Sequence, residues 1–246
     1  SFEIAKHYLS LVKDRERYDF LLGQFSYGLL NGENPYQIPA SAFVAEETDP
    51  LSLLNFNKLS GDAPCFTNMA DADCILQTLC LAAEAFRLNT GSVPYLCVTA
   101  KHGNACGMGI SKASPCEAIE KALWGNPVAI WGGEVITNFP IDEPLSALLF
   151  KSARREELLG DDSWMLDLVM APSFTHDAVA ILGKRKGRKL LENSALLSPA
   201  PLRSGFLLRP VRGGFLRQPR ANYVLNLVEC CVKGRIFTEQ EMTSLI

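Results

Sequence analysis

The hydrophobic positions of this chain switch between helical and strand spacing along its length. Residues 2–22 carry apolar side chains at helical spacing, which predicts a leading amphipathic helix. Asp71 stands where it would cap a second helix that runs to about Arg87. The apolar run Tyr95–Ala100 predicts a buried strand, and the glycines within Lys101–Gly107 predict a loop after it. A lysine and a histidine therefore stand side by side at the end of a strand.

The same alternation continues to the end of the chain. Ser114, Pro115 and Glu117 have the spacing of a helix cap with a capping box. Later segments are predicted as strands over 128–131 and 135–137, a helix over 142–159, a strand over 166–170, a helix over 177–183, a strand over 188–191 and a helix start at 238–241. Alternating strands and helices predict an α/β fold, with a mainly parallel or mixed sheet and helices on its faces.

Composition restricts the class of protein. The chain has 246 residues, 48% of them hydrophobic, which suits one large domain or two small ones. It contains no apolar run long enough to predict a membrane span. Eight cysteines in no regular framework favour a reducing, cytoplasmic compartment. The chain starts at Ser1 without an initiator Met and ends at Ile246 just after a helix start, so we expect it to be part of a longer protein.

Charge is unevenly distributed along the chain. The net charge is −3, yet residues 184–235 hold twelve Lys or Arg and only two acids. Such a segment is typical either of a surface that binds anions or of a solvated face. No nucleic-acid motif accompanies it, so a nucleic-acid partner is not expected. His7 and His176 are predicted to be structural.

Six short segments, in chain order, resemble motifs of the AICAR transformylase half of the bifunctional purine-biosynthesis enzyme family. The segments are Gly32–Gln37, Cys65–Asp73, Lys101–Gly107, Trp131–Gly133, Asp167 with Ala171-Pro172, and Gly213–Gln218. In Lys101–Gly107 the family pattern Lys-His-x-Asn-Pro-Cys-Gly is kept except that Ala105 replaces the proline. The resemblance extends over essentially the whole chain.

The resemblance implies a fold and an activity. It implies a three-layer, cytidine-deaminase-like core over residues 1–183 and a basic strand or hairpin extension over 184–246, leading to a second subdomain that is not in this chain. It also implies a homodimer that transfers a formyl group from 10-formyltetrahydrofolate to an aromatic amine such as AICAR. The zinc motifs of deaminases, His-x-Glu and Pro-Cys-x-x-Cys, are missing at His102 and Cys116, so no metal is predicted.

The chemistry assigns roles to the residues of these motifs. Formyl transfer needs a base for the amine proton, which suits His102, and a cation for the developing oxyanion, which suits Lys101. The predicted substrate contacts are Asn68, Asn104, Gly107, Gly132 and Asp167. Structural alternatives stay open for several of these residues: an ordinary surface loop for Lys101-His102, a helix cap for Asn68 and for Asp71, a bulge for Gly132-Gly133, and an ion pair for Asp167.

The chain departs from the family around its first motif. Leu30-Asn31 stands where the family has the Arg-Tyr that holds the ribotide, and Tyr36 replaces a histidine. Loss of an arginine removes a bidentate anion contact. Two alternatives therefore accompany the transformylase hypothesis: a formyltransferase for an amine that is not a ribotide, and a non-catalytic homologue that binds a ligand or partner.

Overall fold

A computed structural model describes residues 22–45, 48–202, 205–221, 223–230 and 234–246, together with residues 4, 7, 10 and 11. Its strands are β1 (Gln24–Leu29), β2 (Ala40–Val44), β3 (Asn57–Ser60), β4 (Tyr95–Lys101), β5 (Asn104–Ser111), β6 (Glu134–Thr137), β7 (Leu168–Ala171), β8 (Lys189–Glu192), β9 (Phe206–Val211) and β10 (Gly214–Pro219). Its α-helices are α1 (Phe66–Thr90), α2 (Pro115–Gly125), α3 (Glu143–Phe150), α4 (Ala153–Leu159), α5 (His176–Leu182) and α6 (Glu239–Leu245). No helix in these ranges is long and apolar enough to cross a membrane.

Six strands form a mixed sheet in the order β3-β8-β7-β6-β4-β5. The β8–β7 and β7–β6 pairs are parallel, whereas β3–β8, β6–β4 and β4–β5 are antiparallel. The predicted α/β class and the mixed sheet are confirmed. The expectation of a mainly parallel sheet is wrong, because β5 follows β4 through a tight turn that leaves no room for a crossover helix.

Helices cover both faces of this sheet. On one face α1 packs Ile75, Leu79 and Phe86 against the sheet residues Val98 and Ile136, all fully or almost fully buried. On the other face α2, α3 and α5 enclose a second apolar cluster. This second cluster includes Cys97, Ile119, Ala122, Val135, Leu149, Val169 and Leu182. Neighbouring residues of one strand, such as Val135 and Ile136, face opposite clusters, as strand geometry requires. The result is three layers.

Three predicted elements have different bounds in the structure. Helix α1 starts at Phe66 with Cys65 as its N-cap, so Asp71 lies inside the helix and is not a cap. The predicted strand 128–131 is wrong, because this segment turns and the Asn126 side chain accepts a hydrogen bond from the N–H of Ala129. The predicted helix 142–159 is two helices, since Ser152 caps α4. The predicted leading helix 2–22 lies almost wholly outside the described residues.

The helix caps predicted from short sequence patterns agree more closely with the structure than the predicted element bounds do. Ser114 caps α2 as predicted, although Glu117 bonds to the Ser111 hydroxyl instead of closing the capping box. The box at Thr238 and Glu241 is complete. Strand β8 begins after the predicted division at residue 183/184, yet it pairs with β3 and β7 inside the main sheet. The division into two regions stays a prediction.

Candidate functional site

The β4–β5 hairpin carries the lysine and histidine that the sequence singled out. Lys101 pairs with Asn104 across the turn, so His102 and Gly103 are its two central residues. Both have positive φ angles, 53° and 71°, the pattern of a type I′ turn. The predicted strand is confirmed, but the predicted loop is wrong: most of Lys101–Gly107 belongs to the two strands. His102 is exposed at the tip of this hairpin.

A buried aspartate of helix α1 holds the turn by its backbone. The Asp71 carboxylate accepts a hydrogen bond from the His102 N–H at 2.8 Å through Oδ2 and one from the Gly103 N–H through Oδ1. The residue is only 2% exposed. Hydrogen bonds to a charged acceptor are stronger than neutral ones. Asp71 therefore fixes the place of His102 relative to α1, a role that the sequence analysis missed when it treated Asp71 as a cap.

Glu134 at the start of β6 lies next to Asp71 and is also 2% exposed. Its Oε1 accepts a hydrogen bond from Asn68 Nδ2 at 3.0 Å. Burial raises the pKa of Glu134 to about 9; Asp71 and Asp167 add to this rise, and the Asn68 amide opposes it. The sequence analysis missed Glu134, although a glutamate between two glycines and an apolar strand was a visible signal.

Asn68 takes part in the cap of α1 and also contacts the buried carboxyl cluster. Its Oδ1 accepts a hydrogen bond from the Cys65 N–H at 3.2 Å, which completes the cap of α1. Its Nδ2 is the donor to Glu134. Both polar ends of this buried amide are thus committed within the protein, so Asn68 links the start of α1 to the carboxyl cluster.

Lys101 extends to the turn that precedes β6. Its Nζ donates a hydrogen bond to the Trp131 carbonyl and lies 5.8 Å from the centroid of the Trp131 ring. A Cβ on Gly132 would lie 3.6 Å from Nζ, and Gly132 has a φ of 76°. The Gly132 N–H already donates to the Met165 carbonyl at 3.0 Å. Gly132 thus borders the Lys101 ammonium, while its own N–H is engaged by the protein.

Asp167 forms an ion pair, the contact that its structural alternative predicts. Its Oδ1 lies 2.7 Å from Nη2 of Arg185, and the side chains of the two residues are 34% and 29% exposed. Such a half-exposed pair is worth little by itself. The residue lies just before β7 and close enough to Glu134 to affect its pKa, so Asp167 borders the same carboxyl cluster.

The two remaining predicted contacts lie at different places on the hairpin. The Asn104 side chain is exposed and donates to the His102 carbonyl at 2.9 Å, which braces the turn. Gly107 faces helix α2 across the sheet, where a Cβ would come within 2.0 Å of the Ala122 carbonyl oxygen. Gly107 therefore allows the strand and helix to approach, on the face of the sheet opposite to Asp71 and Glu134.

A separate cavity of about 460 Å³ lies between hairpin β1–β2, helix α1 and residues 200–202 and 220–221. Its polar lining includes Gln77 and Arg220, and it does not include Lys101 or His102. Among the described residues, no group of three or more His, Cys, Asp or Glu side chains could hold a metal ion.

The motifs of the sequence and the Lys-His hairpin can now be compared with known families. The model of the AICARFT/IMPCHase bienzyme family matches residues 6–246, so the chain belongs to that family. It is similar to the bifunctional purine biosynthesis protein PurH of Lacticaseibacillus paracasei, 31% identical over 191 residues that cover 78% of this chain and 32% of the relative. PurH of Polynucleobacter necessarius is 30% identical over 221 residues, covering 87% and 37% of the two chains. The chain thus spans about a third of the length of these relatives.

A solved structure, the RibD protein of Acinetobacter baumannii, also matches part of the chain. It is 19% identical with a TM-score of 0.31, and the match covers 50% of this chain and 34% of that one. A likeness at this level carries no argument about fold or function.

Proposed function

We propose that this protein is a formyltransferase of purine biosynthesis, or part of one. The reaction transfers a formyl group from 10-formyltetrahydrofolate to an aromatic amine such as AICAR. Membership of the family supports the reaction class. The observation that carries the proposal is the conformation of His102, which has a φ of 53° in a turn clamped by the buried Asp71. Such turns favour Asn-Gly, so a histidine held there indicates selection for its imidazole.

The proposed reaction uses the two hairpin side chains in turn. The amine nitrogen attacks the formyl carbon and a new C–N bond forms, while His102 takes the proton that the amine gives up. Lys101 stabilises the oxyanion of the tetrahedral intermediate. The bond to N10 of the folate then breaks, and N10 takes the proton that His102 had accepted, which restores the neutral imidazole. We further propose that Asn104 and Asp167 contact the substrates directly, since the first side chain is exposed and the second is partly exposed. Asn68 and Gly132 would border the site, and Gly107 would position strand β5 against α2.

The broader architecture of the proposal follows the family resemblance. We propose that the three layers correspond to a cytidine-deaminase-like core and that the protein acts as a cytoplasmic homodimer. The helix–sheet–helix layering supports the first statement. Sedimentation velocity of the purified protein tests the second: a single monomeric species at micromolar concentration would reject it.

The first motif favours an acceptor other than the family ribotide. Leu30 is 56% exposed, and its N–H donates to the Pro64 carbonyl. The adjacent Asn31 side chain donates to the Gly32 carbonyl. Where the family has an arginine for the ribotide, this chain therefore presents an apolar side chain. An amine without a phosphate is the corresponding alternative substrate.

The test is turnover by two variants with a matched control. His102→Asn keeps a residue that tolerates positive φ but removes the base, and Lys101→Gln removes the cation. We expect each to lower kcat by about 10²- to 10⁴-fold. His176→Asn makes the same change on a side chain that is 97% exposed, and it should leave kcat unchanged. Formation of tetrahydrofolate is followed by absorbance, with AICAR and with its dephosphorylated riboside as acceptors.

The outcomes separate the candidate functions. Turnover that is faster with the riboside supports the non-ribotide acceptor. Full activity of His102→Asn rejects the catalytic role of the histidine. Binding of the folate without turnover by the wild-type protein on either acceptor leaves the non-catalytic homologue as the better reading.

A further inference from the structure

Two carboxyl groups share a buried space directly beneath the Lys-His turn. Asp71 and Glu134 are each 2% exposed, and Glu134 is hydrogen-bonded to Asn68, which lies one helical turn before Asp71. The two carboxyl groups are thus close enough to interact with each other. A hydrogen bond between two carboxyl groups needs a proton on one of them, since ionised carboxylates only accept. Like charges at this separation in a buried site also disfavour ionisation of both groups. One of the two therefore carries a proton.

The hydrogen-bond partners of each carboxyl group locate that proton. Asp71 accepts two backbone N–H groups, from His102 and Gly103, which suits an ionised carboxylate. Glu134 accepts one hydrogen bond, from Asn68 at Oε1. If Glu134 were ionised, its buried Oε2 would have no hydrogen-bond partner among the described residues. An unpartnered buried oxygen is costly. A proton on Oε2 removes that cost, because the O–H then donates to Asp71.

We propose that Glu134 is a positioning residue: it stays protonated and donates a hydrogen bond to Asp71, which in turn holds the backbone of His102 and Gly103. The inference rests on the proposed function in one respect: the proposed function makes this turn the support of a catalytic histidine. Glu134 touches no reacting atom in this scheme. Its O–H, together with the two backbone N–H groups, fixes the orientation of the Asp71 carboxylate.

Other ionisable groups face the pair from each neighbouring element. Asp167, paired with Arg185, approaches from the start of β7. On the hairpin, burial raises the pKa of the Cys106 thiol; Glu134 and Asp71 add to this rise, and Lys101 opposes it. From α1, Cys74 donates to the Gly103 carbonyl at 3.5 Å, and burial raises the pKa of its thiol. Any test at alkaline pH must separate Glu134 from these thiols and from Lys101.

Loss of the Glu134 proton would place a second negative charge beside Asp71. The repulsion would weaken the clamp on the turn, and the change is expected at about pH 9, since burial raises the pKa of Glu134 to about 9. The turn should therefore hold one geometry at neutral pH and lose it at alkaline pH.

One backbone signal can report on this turn directly. The chain has three histidines, and only His102 is followed by glycine. Protein labelled with ¹³C at the histidine carbonyl and ¹⁵N in glycine therefore gives a single NMR cross-peak between a labelled carbonyl and a labelled nitrogen, that of Gly103. We expect its amide proton shift to stay constant around neutral pH and to move in one step near pH 9.

Variants assign the step to Glu134. Glu134→Gln keeps a donor for Asp71 and an acceptor for Asn68, so its Gly103 signal should match the neutral wild-type position and show no alkaline step. Cys74→Ser and Lys101→Gln should keep the step. Glu120→Gln makes the same chemical change on an exposed side chain of α2 and should also keep it. A wild-type signal without a step, or a step that survives in Glu134→Gln, overturns the proposal.

A measurement on the wild-type protein covers the case in which Glu134→Gln fails to fold. Infrared spectra of protein with ¹³C-labelled glutamate carboxyls should show a protonated carboxyl band at pH 7 that disappears with the same midpoint as the NMR step. Absence of that band at pH 7 overturns the proposal. Neither experiment uses a substrate, so failure of the proposed formyl transfer and failure of this inference are distinguishable.

Discussion

At the scale of single residues, the site depends on side chains that hold the backbone rather than on those that face solvent. The buried Asp71 carboxylate accepts hydrogen bonds from two N–H groups of the hairpin turn, and these set the position of His102. His102 itself is exposed. Its placement is therefore a property of the turn, and changes to the turn and to the side chain should have separate effects.

The first prediction concerns the anchor. In Asp71→Asn the amide can accept only one of the two backbone hydrogen bonds and loses the charge, so the free energy of unfolding should fall by about 2–3 kcal/mol. Urea denaturation followed by circular dichroism measures it. Asp177→Asn, on a side chain that is 71% exposed, should change stability by less than about 1 kcal/mol. Equal stability of the two variants would show that the clamp contributes nothing.

The second prediction concerns the strained position in the turn. His102→Asn should keep or raise the free energy of unfolding, by up to about 1 kcal/mol, because Asn adopts positive φ more readily than His. The same variant is expected to lose activity. Thermal unfolding beside the kinetic assay tests the opposed directions, and a large loss of stability would mean that the imidazole has a packing role.

At the scale of elements, β5 and α2 lie so close together that a Cβ on either of two glycines of the strand would collide with the helix backbone. A Cβ on Gly109 would lie 1.7 Å from the Ala118 carbonyl oxygen, and one on Gly107 would lie 2.0 Å from that of Ala122. Both glycines stand on the strand that leaves the Lys-His turn. The helix thus holds the outer strand of the hairpin on one face of the sheet while Asp71 holds its tip on the other.

The third prediction tests this seam. Gly109→Ala should lower the free energy of unfolding by about 1–3 kcal/mol or more, since the strand and helix must separate to admit the methyl group. Gly28→Ala, in β1, is the matched control because a Cβ there meets nothing within 4 Å. Chemical denaturation of both variants gives the comparison, and a Gly109→Ala protein as stable as the control would contradict the close approach.

Elements whose signal lies within a few residues could be predicted from the sequence. Strand β4 follows from an apolar run, and α2 from the cap at Ser114. The carboxyl cluster could not, because its bonds join residues far apart in sequence: 31 positions from Asp71 to His102 and 66 from Asn68 to Glu134. Asp71 is predicted as a cap because the local pattern places it near the start of a helix. The same pattern contains no information about the distant turn that Asp71 binds.

At the scale of the whole molecule, the raised pKa of Glu134 ties stability to pH. The folded protein keeps this proton up to about pH 9, whereas the unfolded chain releases it near 4.5. Between these values the folded state binds more protons at Glu134 than the unfolded state, so the contribution of this group to stability falls as pH rises. The contribution is fully present below about pH 4.5 and is lost as pH rises through about 9.

The fourth prediction follows from that linkage. Between pH 5 and pH 9 the wild-type free energy of unfolding should fall relative to Glu134→Gln, by at most about 1.4 kcal/mol per pH unit. Only the difference between the two proteins is compared, since other groups titrate in both. Urea midpoints at several pH values provide it, and parallel profiles would show that Glu134 ionises alike in the folded and unfolded states.

The seam between β5 and α2 also limits how the protein can evolve. The atoms that a Cβ on Gly109 would strike belong to the backbone of α2, its Ala118 carbonyl above all. Trimming a side chain of α2 cannot remove a backbone oxygen. A genetic screen starting from Gly109→Ala should therefore recover true revertants or distant, generally stabilising changes, and no compensating substitution among the α2 side chains that face the strand.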